Sequence, residues 1–248
     1  MKNNAKEWFE QFYNDQYKAW VLDQIPASMT QAQLDMIQDA LNLAQNAHIL
    51  DVFCGEGRHA IPLAKKGFEV TAIDLYEPFI QTIVKSSAGL NIHPICMDAR
   101  SINYEKKFDA IILLFTSFGY FSDEENELLM NNLSNALKDD GKILIDIENR
   151  DYILKNYLHE KWRNKENGLL LERHAFNPFT SRQKTRRIWI DPKGNQEIYS
   201  RNLRLYSAHE LIALAGKYHL EIIHKWGNYD KKPFSINTPR MIFTFQKQ

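Results

Sequence analysis

The stretch HILDVFCGEGRHAIPL, residues 48–63, decides how the rest of the chain is read. HILDVF (48–53) is a short apolar run of strand length, and Gly55-Glu56-Gly57 follows almost at once. RHAIPLAKKG (58–67) then carries its apolar residues at helical spacing and ends on Gly67, a residue suited to a C-cap. Strand, Gly-x-Gly and helix in immediate succession bring backbone close to a ligand. Glycine takes unusual dihedrals there and has no side chain to block the approach.

The same rhythm continues downstream. EVTAID (69–74) reads as a strand, and PFIQTIVKSSAG (78–89) as a helix opening at Pro78. IHPICMD (92–98) is a strand, and FDAIILLF (108–115) is a strand too continuously apolar to be half exposed. SDEENELLMNNLSNALKDDG (122–141) reads as a helix with a Ser122/Glu125 capping box, and KILIDIEN (142–149) as a strand. This alternation predicts a parallel sheet covered on both faces.

Upstream, the spacing predicts a helix over 30–45, capped by Thr30, with Leu34, Ile37, Leu41 and Ala44 on one stripe. Residues 5–20 carry Trp8, Phe9, Phe12, Tyr13, Tyr17 and Trp20 at spacings that suit one or two faces of a helix. Past about residue 150 the alternation stops. GLLLERHAF (168–176), RQKTRRIWI (182–190) and QEIYSRNLRLY (196–206) read as antiparallel strands, turned at Asn177-Pro178 and at Asp191-Pro192-Lys193-Gly194. SAHELIALAGKY (207–218) is a helix with a Ser207/Glu210 capping box, and EIIHKWG (221–227) and RMIFTFQ (240–246) are strands.

Composition narrows the function classes. The 248 residues are 44% hydrophobic, enough for one large domain or a domain with a substantial insertion. Lys and Arg number 31 and Asp and Glu 31, so the net charge is zero and a polynucleotide partner gripped through its phosphates is disfavoured. Two cysteines, Cys54 and Cys96, make neither a disulfide framework nor a four-cysteine metal site. The start lacks the apolar core of a signal peptide, and no stretch approaches the roughly 20 apolar residues of a membrane span. A soluble cytoplasmic protein without membrane contact is expected, as monomer or homodimer. Arg182, Lys184 and Arg186 share one strand face and read as a solvated, charge-protected edge in preference to an anion or RNA patch.

The ligand is constrained by three acidic positions. Asp74 ends the second strand, where a carboxylate accepts hydrogen bonds from both ribose hydroxyls of a nucleoside. Asp51 lies just before the loop, and a carboxylate there suits a positively charged group better than a pyrophosphate. Asp98 ends the third strand in CMDA, with Met97 beside it, where an adenine edge is within reach. GEGRHA (55–60) also fits the dinucleotide pattern G-x-G-x-x-[G/A], so a nicotinamide-dependent dehydrogenase stays open on that run alone. The fourth strand runs into FTSFGYF (115–121), an aromatic loop at the edge where open α/β sheets bind ligands.

These residues together resemble the class I S-adenosylmethionine-dependent methyltransferases. DVFCGEGRH (51–59) resembles the family's first motif, D/E-x-x-x-G-x-G. The likeness covers about 48–150 and extends to a bacterial small-molecule group marked by GEGRH (55–59), FTSFGYF (115–121), RLY (204–206) and PRM (239–241). It implies a Rossmann-like seven-stranded α/β sheet of order 3-2-1-4-5-7-6, its last strand antiparallel, with an antiparallel β insertion after the fifth strand. It also implies an N-terminal helical lid (1–45), a cofactor-binding core (46–150), a substrate-side insertion (151–206) and a C-terminal helix with the last two core strands (207–248).

S-adenosyl-L-methionine is the implied cofactor. It is held by Asp51, Gly55, Gly57, Arg58, Asp74, Leu75, Asp98, Ala99, Leu114 and the lid residue Tyr13. Tyr120 and Asn149 are the expected catalytic pair, orienting the nucleophile. Tyr17, Phe118, Arg204 and Tyr206 are the expected substrate side. His59 reads as a packing or capping residue in preference to a base, and no metal is expected, since no His/Cys/Asp cluster has metal spacing. In-line methyl transfer needs alignment more than a metal. No residue stands out as the base a hydroxyl acceptor requires, which favours an amine on a small molecule. A methyltransferase on RNA or protein and a non-catalytic cofactor-binding protein are the competing readings.

Overall fold

The computed structural model describes residues 7–13, 17–165 and 168–248. Its centre is a seven-stranded sheet of β1 (His48–Val52), β2 (Glu69–Asp74), β3 (Ile92–Cys96), β4 (Phe108–Leu113), β5 (Leu137–Glu148), β10 (Leu220–Trp226) and β11 (Arg240–Lys247). The spatial order is β3-β2-β1-β4-β5-β11-β10. Counting only these core strands, that is 3-2-1-4-5-7-6, with β11 antiparallel to both neighbours and the rest of the β3-to-β5 run parallel. β1 and β4 are buried on both faces, which is why HILDV and FDAIIL alternate so little.

Helices cover both faces. α2 (Ala27–Leu41), α3 (Ala60–Lys65) and α4 (Glu77–Ser86) bury Leu34, Ile37, Leu63 and Ile83 on one side. α5 (Asp123–Ala136) and α7 (Ala208–Gly216) bury Leu129, Leu133, Leu211 and Ala215 on the other. α5 and α7 both open with the complete capping boxes expected at Ser122/Glu125 and Ser207/Glu210. α6 (Arg150–Lys155) follows β5 directly.

Four elements depart from the sequence reading. The aromatic run over 5–20 does not appear as one helix: α1 is Trp8–Phe12, Tyr13 is extended, and Lys18–Leu22 is a wide π-helical turn. Residues 5, 6 and 14–16 lie outside the described residues. Rings at 8, 9, 12, 13 and 17 cannot all reach one surface from a continuous helix, and the break lets them gather around Tyr120 and one another. α2 begins at Ala27 behind Pro26 as N-cap, so Thr30 sits inside the helix and its hydroxyl accepts from Arg58 Nη1 at 3.0 Å. The helix expected over 122–141 ends at Ala136, because Leu137 is buried and pairs with Phe108. β6 (Glu160–Lys165), EKWRNK, was not foreseen: it is a charged edge strand with no alternation.

β6 forms a separate antiparallel sheet with β7 (Gly168–Asn177), β8 (Arg182–Ile190) and β9 (Gln196–Arg204), in that order. It joins the core where Arg204 N–H donates to the Gly119 carbonyl at 2.9 Å. A Cβ on Gly119, whose φ is +105°, would lie 2.4 Å from the Arg204 carbonyl oxygen, so this glycine is required by the close approach of the insertion. Among the described residues no helix is long and apolar enough to cross a membrane.

Candidate active site

The C-terminal ends of β1, β2, β3 and β4 open into a cavity of about 580 Å³. After β1 the chain turns through Phe53, Gly55 and Gly57, all with left-handed φ, before α3 begins behind His59. The two glycines serve different ends. A Cβ on Gly57 would lie 2.9 Å from Ile83 Cγ1, so Gly57 lets α4 pack against the loop. A Cβ on Gly55 would meet nothing within 4 Å and would project into open space beside the cavity that Gly55 lines.

Two carboxylates fix the floor. Asp74 accepts Gly55 N–H and Tyr76 N–H, each at 2.9 Å, and so ties the glycine loop to the end of β2. Burial raises its pKa, against these backbone donors. Asp51 is 2% exposed, and its Oδ2 has no hydrogen-bond partner among the described residues. Burial lifts its carboxyl to about 8, with Arg58 pulling the other way. An unsatisfied buried carboxylate at a cavity wall calls for a donor or a cation from a ligand.

The far wall is Leu75, Met97, Asp98 and Ala99. The Asp98 carboxylate is engaged by Arg100, which donates to it at 2.6 Å, so the cavity meets this position beside an occupied side chain. Burial would raise the Asp98 carboxyl, but Arg100 outweighs it and holds it low. Arg100 also reaches Glu7 and Glu125, each at 2.7 Å, and stacks 4.6 Å over Phe121, binding the N-terminal segment to the core.

The roof is aromatic. Trp8 Nε1 donates to the Tyr120 carbonyl at 3.2 Å, and the Tyr13 hydroxyl donates to the Tyr120 hydroxyl at 2.8 Å. Tyr17 packs edge-on to Tyr13 at 4.8 Å. Burial pushes all three phenols upward, so they stay protonated as hydrogen-bonding groups. At the end of β4, Leu114 and Phe115 complete the wall. Phe115 and Thr116 both hold left-handed φ, 60° and 66°, which costs energy in non-glycine residues. Buried Asp146 on β5 fixes them: its Oδ2 accepts Phe115 N–H at 3.0 Å, and its Oδ1 accepts Arg240 Nε at 2.7 Å. Arg240 Nη1 in turn donates to the Thr116 hydroxyl at 3.0 Å.

The structure thus brings Asp51, Gly55, Arg58, Asp74, Leu75, Asp98, Ala99, Leu114, Tyr13, Tyr17 and Tyr120 onto one cavity. Arg58 is turned toward Thr30 and Gln33 and lies 5.2 Å from the Phe115 ring. His59 also borders the cavity, but its Nε2 is paired with Gln33 at 3.1 Å, and burial drives its pKa well down, so it is neutral.

Five expected residues stand elsewhere. Gly57 lies behind the loop. Asn149 does not face the cavity: its Oδ1 caps α6 and its Nδ2 donates to the Ser235 and Thr238 carbonyls, so its polar atoms are spent. Phe118 and Tyr206 are buried on each other at 5.3 Å beneath the insertion. Arg204 is locked on Glu210 at 2.6 Å and stacks 4.6 Å over Tyr206. RLY and the Phe118–Gly119 part of FTSFGYF therefore meet as the joint between core and insertion, while Phe115, Tyr120 and Phe121 line the cavity.

Two features escaped the sequence. One is the Asp146–Arg240 support. The other is an ion pair of Glu148, at the end of β5, with Arg201 of β9 at 3.1 Å. Burial would raise the Glu148 carboxyl, yet Arg201, Arg240 and Arg187 prevail and lower it. Period-two alternation along β9 could have placed Arg201 on an inner face, but nothing local pairs it with Glu148.

Comparison with known proteins defines the class. Residues 49–141 match the family model described as a methyltransferase domain. Glycine N-methyltransferase of Rattus norvegicus is 30% identical over 122 residues, 43% of this chain and 42% of that one. The CcbJ methyltransferase of Streptomyces caelestis superposes with a TM-score of 0.81 at 17% identity, covering 94% of this chain and 95% of its own. CalS10 of Micromonospora echinaspora, an amino pentose methyltransferase solved with S-adenosylmethionine bound, gives 0.64 at 18%, with 100% of each chain covered. The chain spans less than half the length of the curated relatives it matches. Residues 49–141 thus match a methyltransferase domain, the chain has the fold of the methyltransferases it superposes on, and S-adenosylmethionine is the cofactor of that class.

Proposed function

We propose that the protein transfers a methyl group from S-adenosylmethionine to an amine on a small molecule. The observation that carries this reading is the buried Asp51 oxygen, without a partner among the described residues, in a cavity that the Asp74-tethered glycine loop also lines. Those positions match a ligand that carries both an ammonium, for Asp51, and a ribose, for Asp74. Gly55 leaves room for backbone approach, and Leu75, Met97, Asp98 and Ala99 would flank the base. When bound, the cofactor supplies a methyl on a good sulfonium leaving group.

What remains for the protein is alignment and dryness, and orientation is worth up to roughly 7–11 kcal/mol in ideal cases. The aromatic roof of Phe9, Tyr13, Tyr17 and Tyr120 excludes water, and the Tyr13–Tyr120 hydroxyl pair offers oxygens to an amine's N–H groups, aiming its lone pair. A hydroxyl acceptor would need a base. His59 faces Gln33, and the phenols hold their protons. Glycine N-methyltransferase and the amino pentose methyltransferase are both named for nitrogen-bearing acceptors or products, which supports the same choice.

Calorimetric titration with S-adenosylmethionine, S-adenosylhomocysteine and NADH tests the reading. Micromolar binding of both adenosyl ligands and none of NADH is expected, and labelled methyl then appears on an amine. NADH binding or no adenosyl binding overturns it, and tight binding with no methyl transfer to any amine or hydroxyl metabolite would leave a non-catalytic binding protein.

A further inference from the structure

α2 buries Leu34, Met36, Ile37, Ala40 and Leu41, and among these apolar residues Gln33 is wholly buried too. Its Oε1 accepts from Arg58 Nη1 and lies 3.1 Å from His59 Nε2. A guanidinium only donates, so the amide must turn its oxygen to Arg58, and neutral His59 must donate to that oxygen through Nε2–H. The amide nitrogen of Gln33, by contrast, is buried with no hydrogen-bond partner among the described residues. An apolar side chain of the same length would avoid that loss and suit the rest of the face. Packing therefore does not explain a glutamine at this position, and the oxygen is the part that has work to do.

That work is on Arg58. Its Nη1 also donates to Thr30 Oγ1 at 3.0 Å, so both Nη1–H groups are held by α2. The Nε–H and Nη2–H edge has no hydrogen-bond partner among the described residues, and Arg58 borders the cavity. Among the described residues that line this cavity, Arg58 is the one arginine or lysine, set against Glu10, Asp51, Glu56, Asp74 and Asp98. A ligand carboxylate brought to such a wall has one permanent cation to meet. A guanidinium edge grips a carboxylate with two bonds only when its plane is set in advance. Neither Gln33 nor Thr30 lines the cavity.

Resting on the methyl-transfer reading, in which Asp51 and Arg58 meet the amino-acid end of the cofactor, we propose that Gln33 is a positioning residue of the cofactor site. With Thr30 it holds Nη1 of Arg58 and presents the Nε–Nη2 edge to the cofactor's carboxylate. Gln33 thereby sets the affinity for a ligand that it does not touch.

Calorimetric titration with S-adenosylhomocysteine and with its decarboxylated form, which keeps the amine and the nucleoside, tests this. Gln33→Met preserves length and removes the acceptor. It is expected to bind S-adenosylhomocysteine about tenfold more weakly than wild type and the decarboxylated form within about twofold. Gln33→Glu keeps an oxygen for Arg58 and is expected to recover the lost affinity. In an Arg58→Ala background, Gln33→Met is expected to add nothing to the loss. Unchanged S-adenosylhomocysteine affinity in Gln33→Met overturns the proposal. So do equal losses for the two ligands, full additivity with Arg58→Ala, or a Gln33→Glu variant no better than Gln33→Met, since each gives Gln33 a merely structural part. Should Gln33→Met not fold, the isosteric Thr30→Val, at a half-buried position, is read in the same way: a loss confined to the carboxylate-bearing ligand is expected, and no such selectivity overturns the proposal. Failure of S-adenosylhomocysteine to bind the wild type removes both readings, whereas normal wild-type binding with an unselective Gln33→Met removes only this one.

Discussion

Asp51 holds its proton in the folded chain at pH values where an unfolded aspartate has lost it. Its pKa is about 8 in the native cavity wall, because burial disfavours the charge. A raised folded-state value adds stability fully present below the unfolded pKa of about 3.9 and lost as pH rises through the folded value. Between those limits the slope from this one group is at most about 1.4 kcal/mol per pH unit. Denaturant titrations of the ligand-free protein at pH 5.5 and 8.5 should show a larger loss for the wild type than for Asp51→Asn. An ammonium placed against this carboxylate reverses its preference, so cofactor binding near pH 7 should release a proton. Calorimetry in buffers of differing ionisation enthalpy reads that proton directly, and affinity should rise toward pH 8 in the wild type but not in Asp51→Asn.

Tyr120 tests the other end of the cavity. Tyr120→Phe keeps the ring contacts with Trp8, Phe9 and Phe53 and removes one partner of the hydroxyl pair. Turnover should fall, by about tenfold for a lost orienting hydrogen bond of roughly 1.4 kcal/mol, while cofactor affinity holds. An unchanged turnover number would remove Tyr120 from the acceptor side. Asp51, Asp74 and Tyr120 were legible in the sequence because each ends a strand or sits in an aromatic loop at a known edge. Asn149, Phe118, Arg204 and Tyr206 share that kind of address yet face elsewhere. Strand-end position says that a residue is near the edge, not which way its side chain turns.

The glycine loop and the β4 loop show how segments hold the cavity open. Gly57→Ala should cost about 1–3 kcal/mol of stability, from left-handed strain and contact with Ile83, measurable as a lower denaturant midpoint. Gly55→Ala carries the φ strain but no clash, so its larger effect should fall on cofactor affinity. Similar losses of stability and affinity in the two variants would contradict this division. Asp146→Ala strips Arg240 of its carboxylate and frees Phe115 N–H. Breaking such a buried pair typically costs about 3–5 kcal/mol, to be read by chemical denaturation. The loops are harder to read in advance than the strands. Apolar runs and capping boxes announced β1, β4, α5 and α7. The Asp146–Arg240 link joins residues far apart in the chain, and the β6 strand hid because an edge strand has solvent to satisfy and no core face to betray it.

Across the whole molecule, the parallel sheet was readable from the alternation of strands and helices, and its strand order from the resemblance alone. The insertion was readable as three strands and their turns, but not as a polar-faced lobe joined to the core at Gly119 and Arg204, because cross-sheet contacts leave no periodic trace. β11, although encoded after every other strand of the sheet, lies between β5 and β10. On the ribosome the growing chain can assemble β1 to β5 and their helices while β5 still presents a bare hydrogen-bonding edge. Arg240, which Asp146 and Thr116 require, emerges on that same late strand. The order of synthesis therefore postpones the bracing of the Phe115–Thr116 turn until residue 240 has emerged, and a nascent polypeptide cut short before that residue would carry the glycine loop but an unbraced β4 wall.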